Sequence, residues 1–180
     1  MEQSESLESE LLVLACQAGD AGAFRRLVRL WHPRLLAHAW RLTLQREVAL
    51  DVVQETWVAV IENLHTLETP AAFPAWAFRI LQHKISDSLR RARRHPEQSL
   101  EGELPAPVNG AADLLANADI VERALAGLPR EQRRVISLYY FEEFTVAQIA
   151  QIEGVPEGTV KSRLFHGRKR MRDTLRGGSK

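Results

Sequence analysis

Apolar residues recur at intervals of three and four along most of this chain, and this spacing limits what the chain can fold into. Residues at these intervals share one face of an α-helix, whereas a strand needs alternation at every second residue. The clearest series predicts a helix over 21–44 with one buried face. Its members are Phe24, Leu27, Val28, Trp31, Leu35, Ala39 and Leu42.

Similar series predict three more helices in the first half of the chain. A short helix is predicted over 11–18, and a further helix begins near Pro74, a residue that a first turn tolerates, and runs to Arg94. The remaining helix lies between the one over 21–44 and the one that begins near Pro74. Its predicted buried stripe is made of Val53, Trp57, Val60, Ile61 and Leu64. We therefore predict a compact helical domain over 1–94.

The stretch 95–117 differs in composition from what precedes it. It contains prolines and glycines, few large apolar residues, and charged residues that are all acidic. This composition is typical of a linker, and a chain of this length reaches roughly 80 Å when fully extended. We predict a flexible acidic linker that lets the two halves of the chain lie far apart.

The C-terminal third carries the most specific local pattern. Thr145 and Gln148 have the spacing of a capping box, Gly154 provides a turn, and Pro156 opens a last, basic helix. In a helix-turn-helix, the N-terminal part of such a second helix enters the major groove of DNA. The pattern predicts a helix-turn-helix within a second domain over 118–180; a solvated basic helix is the alternative.

The charges are segregated along the chain. The 24 Lys and Arg nearly balance the 23 Asp and Glu, giving a formal net charge of +1. The segments 79–94 and 161–180 are nevertheless strongly basic, whereas 95–122 contains acidic residues and no Lys or Arg. Two separated basic segments favour two contacts with a polyanion.

Several function classes are disfavoured by the sequence. No apolar run approaches the roughly 18 residues that span a bilayer, and the acidic N-terminus is unlike a signal peptide, so we expect a cytoplasmic protein. Cys16 is the only cysteine, the six histidines show no ligand spacing, and there is no Gly-rich phosphate loop. We therefore expect no catalytic site, no metal and no cofactor.

Two parts of the sequence resemble conserved domains of the extracytoplasmic-function (ECF) sigma factors, a branch of the sigma-70 family. The stretch ALAGLPREQRRVISLYYFEEFTVAQIAQIEGVPEGTVKSRLFHGRKRMRDTL (124–175) is similar to domain 4 of that family. DVVQETWVAV (51–60) and FPAWAFRILQHKISDSLRR (73–91) are similar to domain 2. The resemblance implies an all-α protein that directs RNA polymerase to specific promoters and assists promoter melting, without catalysis of its own.

The resemblance also implies partners and site residues. The matches to the helix that docks on the largest subunit of core RNA polymerase are Asp51, Gln54 and Glu55. The matches for the minus-10 promoter element are Leu67, Phe73, Trp76, Arg79, His83, Arg90 and Arg91. Those for the minus-35 element are Lys161, Ser162, Arg163, Phe165, His166 and Arg168. A solvated helix face remains the alternative for the first set, and core packing remains the alternative for Trp76.

Other implications concern the linker and regulation. The acidic linker matches a segment that passes near the polymerase active site. The expected partners are the largest and second-largest subunits of core RNA polymerase, promoter DNA and an anti-sigma factor. The family usually has Asn at position 83, often Arg at 166 and commonly an aromatic at 67, where this chain has His83, His166 and Leu67. The family's promoter sequence therefore does not transfer. The rival interpretation is a helix-turn-helix regulator that binds DNA without polymerase.

Overall fold

The structure is a computed structural model that describes residues 3–94 and 121–177, and all regular structure in these ranges is helical. The predicted linker lies outside the described residues. The N-terminal domain comprises α1 (Gln3–Gln17), α2 (Ala21–Thr43), α3 (Arg46–Asn63) and α4 (Phe73–Arg94), with 3-10 turns at Leu64–Thr66 and Pro70–Ala72. In the C-terminal domain, residues 121–126 form α5, followed by α6 (Arg130–Tyr140), α7 (Val146–Glu153) and α8 (Glu157–Gly177).

The predicted helix over 21–44 is confirmed as α2. Its start is fixed by Asp20, whose carboxylate accepts hydrogen bonds from the backbone N–H groups of Gly22 at 2.7 Å and Ala23 at 3.1 Å. The helix over 11–18 was predicted too short, because α1 begins at Gln3. Its early turns are fastened by the buried Ser9, whose hydroxyl accepts a hydrogen bond from Trp31 Nε1 at 3.0 Å.

Aromatic side chains form the centre of the N-terminal core. The ring of Trp31 meets those of Phe73 and Phe78 edge to face, with centroids 6.1 and 6.4 Å apart. Trp31 and Trp57 are buried as expected. Ile61 was wrongly placed in the core, because α3 turns it to the surface, where it is 59% exposed.

The C-terminal domain forms the predicted helix-turn-helix. The capping box is present: Thr145 Oγ1 accepts from the Gln148 N–H at 3.2 Å, and Gln148 Oε1 accepts from the Thr145 N–H at 2.9 Å. Gly154 ends α7 in the left-handed region at φ 66°. The helix that follows, α8, packs against α6 and α7, while α2 and α4 contact α6 and α7 across the boundary between the domains.

Candidate nucleic-acid interface

One face of α8 is left open to solvent by this packing. Lys161, Ser162, Phe165 and His166 are exposed, and so is Lys169, which falls in the same sector of about 140° but was not predicted as a site residue. Phe165 is 59% exposed, and its ring meets that of His166 edge to face at 5.3 Å. This face, called the α8 face below, offers cations, hydrogen-bonding groups and an apolar ring to a nucleic acid.

Arg163 does not belong to this face in the structure. Its side chain is 21% exposed, with Nη2 at 2.6 Å from Glu131 Oε2 and Nη1 at 3.9 Å from Glu153 Oε2. Glu153 is buried and pairs with Arg134, whose Nη2 lies 2.8 Å from Glu153 Oε2. Burial raises the pKa of Glu153, and the charge of Arg134 opposes that rise. The network joins α6, α7 and α8, so the Arg163 guanidinium is engaged within the domain in this structure, and its contact with the minus-35 element stays a prediction.

Arg168 is exposed at the edge of the α8 face, about 20° from Lys161 around the helix. Its Nε donates to the Leu164 carbonyl oxygen at 3.3 Å, and its side chain borders an apolar groove of about 500 Å³ between α6 and α8. Ile136 and Met171 are among the residues that line this groove. Four of the six residues predicted for the minus-35 element therefore share the α8 face, whereas Arg163 pairs with Glu131 and Arg168 lies between the face and the groove.

A second basic stripe runs along α4. Arg79, His83 and Arg90 are exposed and lie with the partly exposed Trp76 in a sector of about 60°, which makes the α4 stripe. Arg90 is paired with Asp87, one helical turn away, at 2.6 Å. The stripe combines positive charge with one aromatic surface, the combination that holds single-stranded bases.

Of the neighbouring predictions, the one at Phe73 needs correction, and the one at Leu67 stays a prediction. Phe73 has no exposed surface, so it cannot contact DNA in this structure. Its ring packs against that of Trp76, with the ring centroids 6.1 Å apart. Leu67 is half-buried and packs against the core. Its backbone carbonyl oxygen accepts a hydrogen bond from Gln17 Nε2 at 2.8 Å, which fixes the turn before α4 to the end of α1.

The predicted polymerase-docking residues lie on α3. Asp51 and Gln54 are exposed, while Glu55 is turned toward α4 and pairs with Lys84 at 3.7 Å and with Arg91 at 3.2 Å. Arg91, predicted for DNA, and Glu55, predicted for polymerase, are thus partners. Because these pairs are largely exposed, we expect each to contribute at most about 1 kcal/mol to stability.

Three apolar residues that were not predicted as site residues share the exposed side of α3. Leu50, Val58 and Ile61 are 36, 51 and 59% exposed, and they occupy the same sector of about 100° as Asp51 and Gln54. These five residues are called the α3 face below. The sequence signal was their common helical sector, and exposed apolar groups beside polar ones are typical of a protein-docking surface.

Within 3–94 and 121–177, no helix is long and apolar enough to cross a membrane. In these ranges no group of three or more His, Cys, Asp and Glu side chains is placed to hold a metal ion.

Comparison with known proteins identifies the family. The family Sigma-70 region 2 matches residues 27–95, and Sigma-70 region 4 matches 118–171. The chain is 35% identical over 167 residues to the ECF RNA polymerase sigma factor SigM of Mycobacterium tuberculosis H37Rv, covering 93% of this chain and 84% of SigM. The chain belongs to the ECF RNA polymerase sigma factors. It is also 36% identical over 178 residues to SigL of M. tuberculosis Erdman, covering 90% of this sigma factor and 96% of SigL.

Solved structures agree with this sigma-factor fold. The sigma factor RpoE, in complex with the anti-sigma factor NepR from Bartonella quintana, superposes with a TM-score of 0.71 at 27% identity, over 85% of this chain and 96% of RpoE. CnrH, in complex with the cytosolic domain of CnrY, gives a TM-score of 0.71 at 25% identity, over 96% and 99%. The all-α, two-domain prediction is confirmed, and the polymerase-independent regulator is not favoured.

Proposed function

We propose that this sigma factor binds RNA polymerase and promoter DNA through three separate surfaces. The α3 face binds core RNA polymerase, the α4 stripe binds the minus-10 element, and the α8 face binds the minus-35 element. The observation that carries this proposal is the α8 face itself: the second helix of a capped helix-turn-helix presents Lys161, Phe165, His166 and Lys169 to solvent without burying them in the domain.

The α3 face supports polymerase docking by its mixed character. Val58 and Ile61 supply apolar area that no other described element covers, and Asp51 and Gln54 supply the polar groups that set the orientation of a partner. An apolar centre next to polar groups is the usual anatomy of a protein interface. We therefore extend the docking surface beyond the three residues predicted from the sequence.

Docking can be tested with exposed residues alone. In the double variant Asp51→Ala, Gln54→Ala and in the single variant Ile61→Asp, binding to core polymerase should weaken at least about tenfold. Exposed positions seldom change the free energy of unfolding by more than about 0.5 kcal/mol, so the melting temperature should stay nearly unchanged. The control is Glu8→Ala, which removes an exposed carboxylate on α1. Unaltered core binding in both test variants would contradict the assignment.

DNA binding by the α8 face can be tested by salt dependence. The full chain should bind duplex DNA carrying a minus-35 element, and each phosphate neutralised contributes a slope of roughly 0.9 in log K against log salt. Lys161→Ala and Lys169→Ala should each lower that slope, whereas Arg25→Ala on α2 should not. Arg163→Ala should instead lower the melting temperature, because it breaks contacts with Glu131 and Glu153. A slope unaffected by either lysine would reject the α8 face as a DNA surface.

We further infer that the chain has no catalytic activity of its own, acts in the cytoplasm and is controlled by an anti-sigma factor. Sigma factors are a non-enzymatic class, and the similar RpoE was solved bound to the anti-sigma factor NepR. Transcription should require added core polymerase, and the purified chain alone should make no RNA. RNA synthesis by the chain alone would contradict this.

A further inference from the structure

A buried carboxylate lies at the turn of the helix-turn-helix. Glu153 is the last residue of α7, directly before the left-handed Gly154, and its side chain is 1% exposed. Arg134 of α6 binds this carboxylate through two nitrogens: Nε donates to Glu153 Oε1 at 3.0 Å, and Nη2 lies 2.8 Å from Oε2. A bidentate pair fixes an orientation in addition to joining two charges. The end of α7 is therefore tied to α6 by a directional contact.

The same carboxylate also reaches the last helix. Arg163 of α8 places Nη1 3.9 Å from Glu153 Oε2 and Nη2 2.6 Å from Glu131 Oε2. Glu131 and Arg134 are three positions apart on α6, so they lie on the same side of that helix. The four side chains form a row of alternating charge across three helices, called the ionic row below: Glu131, Arg163, Glu153 and Arg134.

The rotation of α8 about its own axis decides where the α8 face points. At a radius of about 5 Å, a rotation of 10–20° moves the side chains on that face by roughly 1–2 Å. Hydrogen bonds to base edges require donor and acceptor to be placed within about 0.5 Å. Val160 and Leu164 hold α8 to the core by apolar contacts, which are non-directional. The ionic row supplies the directional contacts.

We propose that Glu153 is a positioning residue for promoter recognition. Through Arg134 and Arg163, its carboxylate sets the rotation of α8 and hence which base edges the α8 face reads at the minus-35 element. The proposal rests on the function proposed above, which assigns the α8 face to that element. With a side chain that is 1% exposed, Glu153 acts through the two arginines and not by touching DNA.

The ionic row is better suited to fixing a geometry than to stabilising the fold. Taking a carboxylate and a guanidinium out of water costs about as much free energy as their attraction supplies. Apolar side chains of similar volume in place of a buried ion pair are therefore often neutral or stabilising. The orientation given by the bidentate pair is lost in such a replacement. Removing the pair as a whole should therefore alter base preference more than stability.

The test replaces both partners of the bidentate pair in the full chain. The double variant Arg134→Met, Glu153→Met loses both charges and keeps a similar side-chain volume, so its melting temperature should stay within about 4 °C of the native value. Holoenzymes reconstituted with core polymerase then select from one promoter library randomised across the minus-35 element. In the variant, the ratio of the preferred base to the next should fall at least about threefold at one or more positions, because base contacts are misplaced.

Two further variants separate positioning from lost stability. Ile149→Val removes one buried methylene group from α7 and leaves the ionic row in place, so it should lower the melting temperature and leave the base ratios unchanged. Arg134→Lys keeps the positive charge but cannot form the two-nitrogen contact. It should change the base ratios in the same direction as the double variant, and it decides the question if the double variant does not fold.

The outcomes distinguish this proposal from the function on which it rests. Native base ratios in the double variant or in Arg134→Lys would overturn the positioning role, and so would an equal change in Ile149→Val, because lost stability alone would then explain it. A native holoenzyme without base preference at the minus-35 element would overturn the function proposed for the α8 face, and the positioning role with it. A native holoenzyme that reads the element while the double variant reads it identically overturns the positioning role alone.

Discussion

Acidification should weaken the folded chain through His38. Complete burial, with the nearby charges of Arg41 and Arg134 adding to it, lowers the pKa of this imidazole to about 3. In the unfolded chain the pKa is about 6.5. Below pH 6.5, therefore, only the unfolded chain takes up this proton, and the free energy of unfolding falls by about 1.4 kcal/mol per pH unit. At pH 5 the loss attributable to His38 should be about 2 kcal/mol, whereas above pH 6.5 its contribution is fully retained.

The assay is urea unfolding at pH 7.5, 6.0 and 5.0, followed by circular dichroism, for the native chain and His38→Gln. Burial also raises the pKa values of Glu142 and Glu153, so acid acts on both proteins through those carboxyls as well. The difference between the two proteins isolates the histidine. The native chain should lose about 2 kcal/mol more than the variant between pH 7.5 and 5.0. Equal losses would refute the reasoning that His38 is held neutral at the domain boundary.

Three other predictions follow from the structure. Gly167→Ala should lower the free energy of unfolding by about 1–3 kcal/mol, because the new Cβ would lie 2.9 Å from Ile136 Cγ1. Adding Ile136→Ala should recover part of that loss in a double-mutant cycle, and strictly additive free-energy changes of the two substitutions would contradict the clash. Thr145→Ala should cost about 1 kcal/mol in urea unfolding through loss of the cap, and no change would mean that the cap is redundant. His83→Asn should preserve folding and core binding but alter base preference at the captured minus-10 position; identical profiles on randomised promoters would show that His83 reads no base.

Local signals in the sequence were sufficient to predict most of the helices. The start of α7 follows from Thr145 and Gln148, three residues apart, and its end follows from Gly154 in a left-handed conformation. The start of α2 depends on Asp20, which bonds to residues two and three positions later. Because each of these signals involves residues within one helical turn of each other, the helix ends can be predicted from the local sequence.

Buried polar partners could not be predicted in the same way. Arg41 and Glu142 are 101 positions apart, and a charged residue met in a sequence is ordinarily taken as solvated. Arg163 was likewise matched to the minus-35 element by the family resemblance, which gave no sign that its guanidinium contacts Glu131 and Glu153 from two other helices. These contacts form only between assembled helices, so no local sequence pattern predicts them.

The α3 helix shows a different limit of periodicity. Its apolar residues occupy two sides: Val53 and Val60 are buried, whereas Val58 and Ile61 face outward. Spacing alone places Ile61 with the core, because it cannot distinguish the side that packs inside the domain from a side kept apolar for a partner. In the folded chain Val58 and Ile61 are more than half exposed, so the proposed docking surface includes them in addition to the polar residues predicted from the sequence.

The most direct test of the central claim is transcription reconstituted from the purified chain, bacterial core RNA polymerase and fragmented genomic DNA, with sequencing of the RNA 5′ ends. The three proposed surfaces predict discrete start sites, preceded by two shared sequence elements at minus-10 and minus-35. They also predict loss of these starts in the Asp51→Ala, Gln54→Ala variant. Start sites that are identical with and without the chain, or that survive loss of the α3 face, would contradict the account.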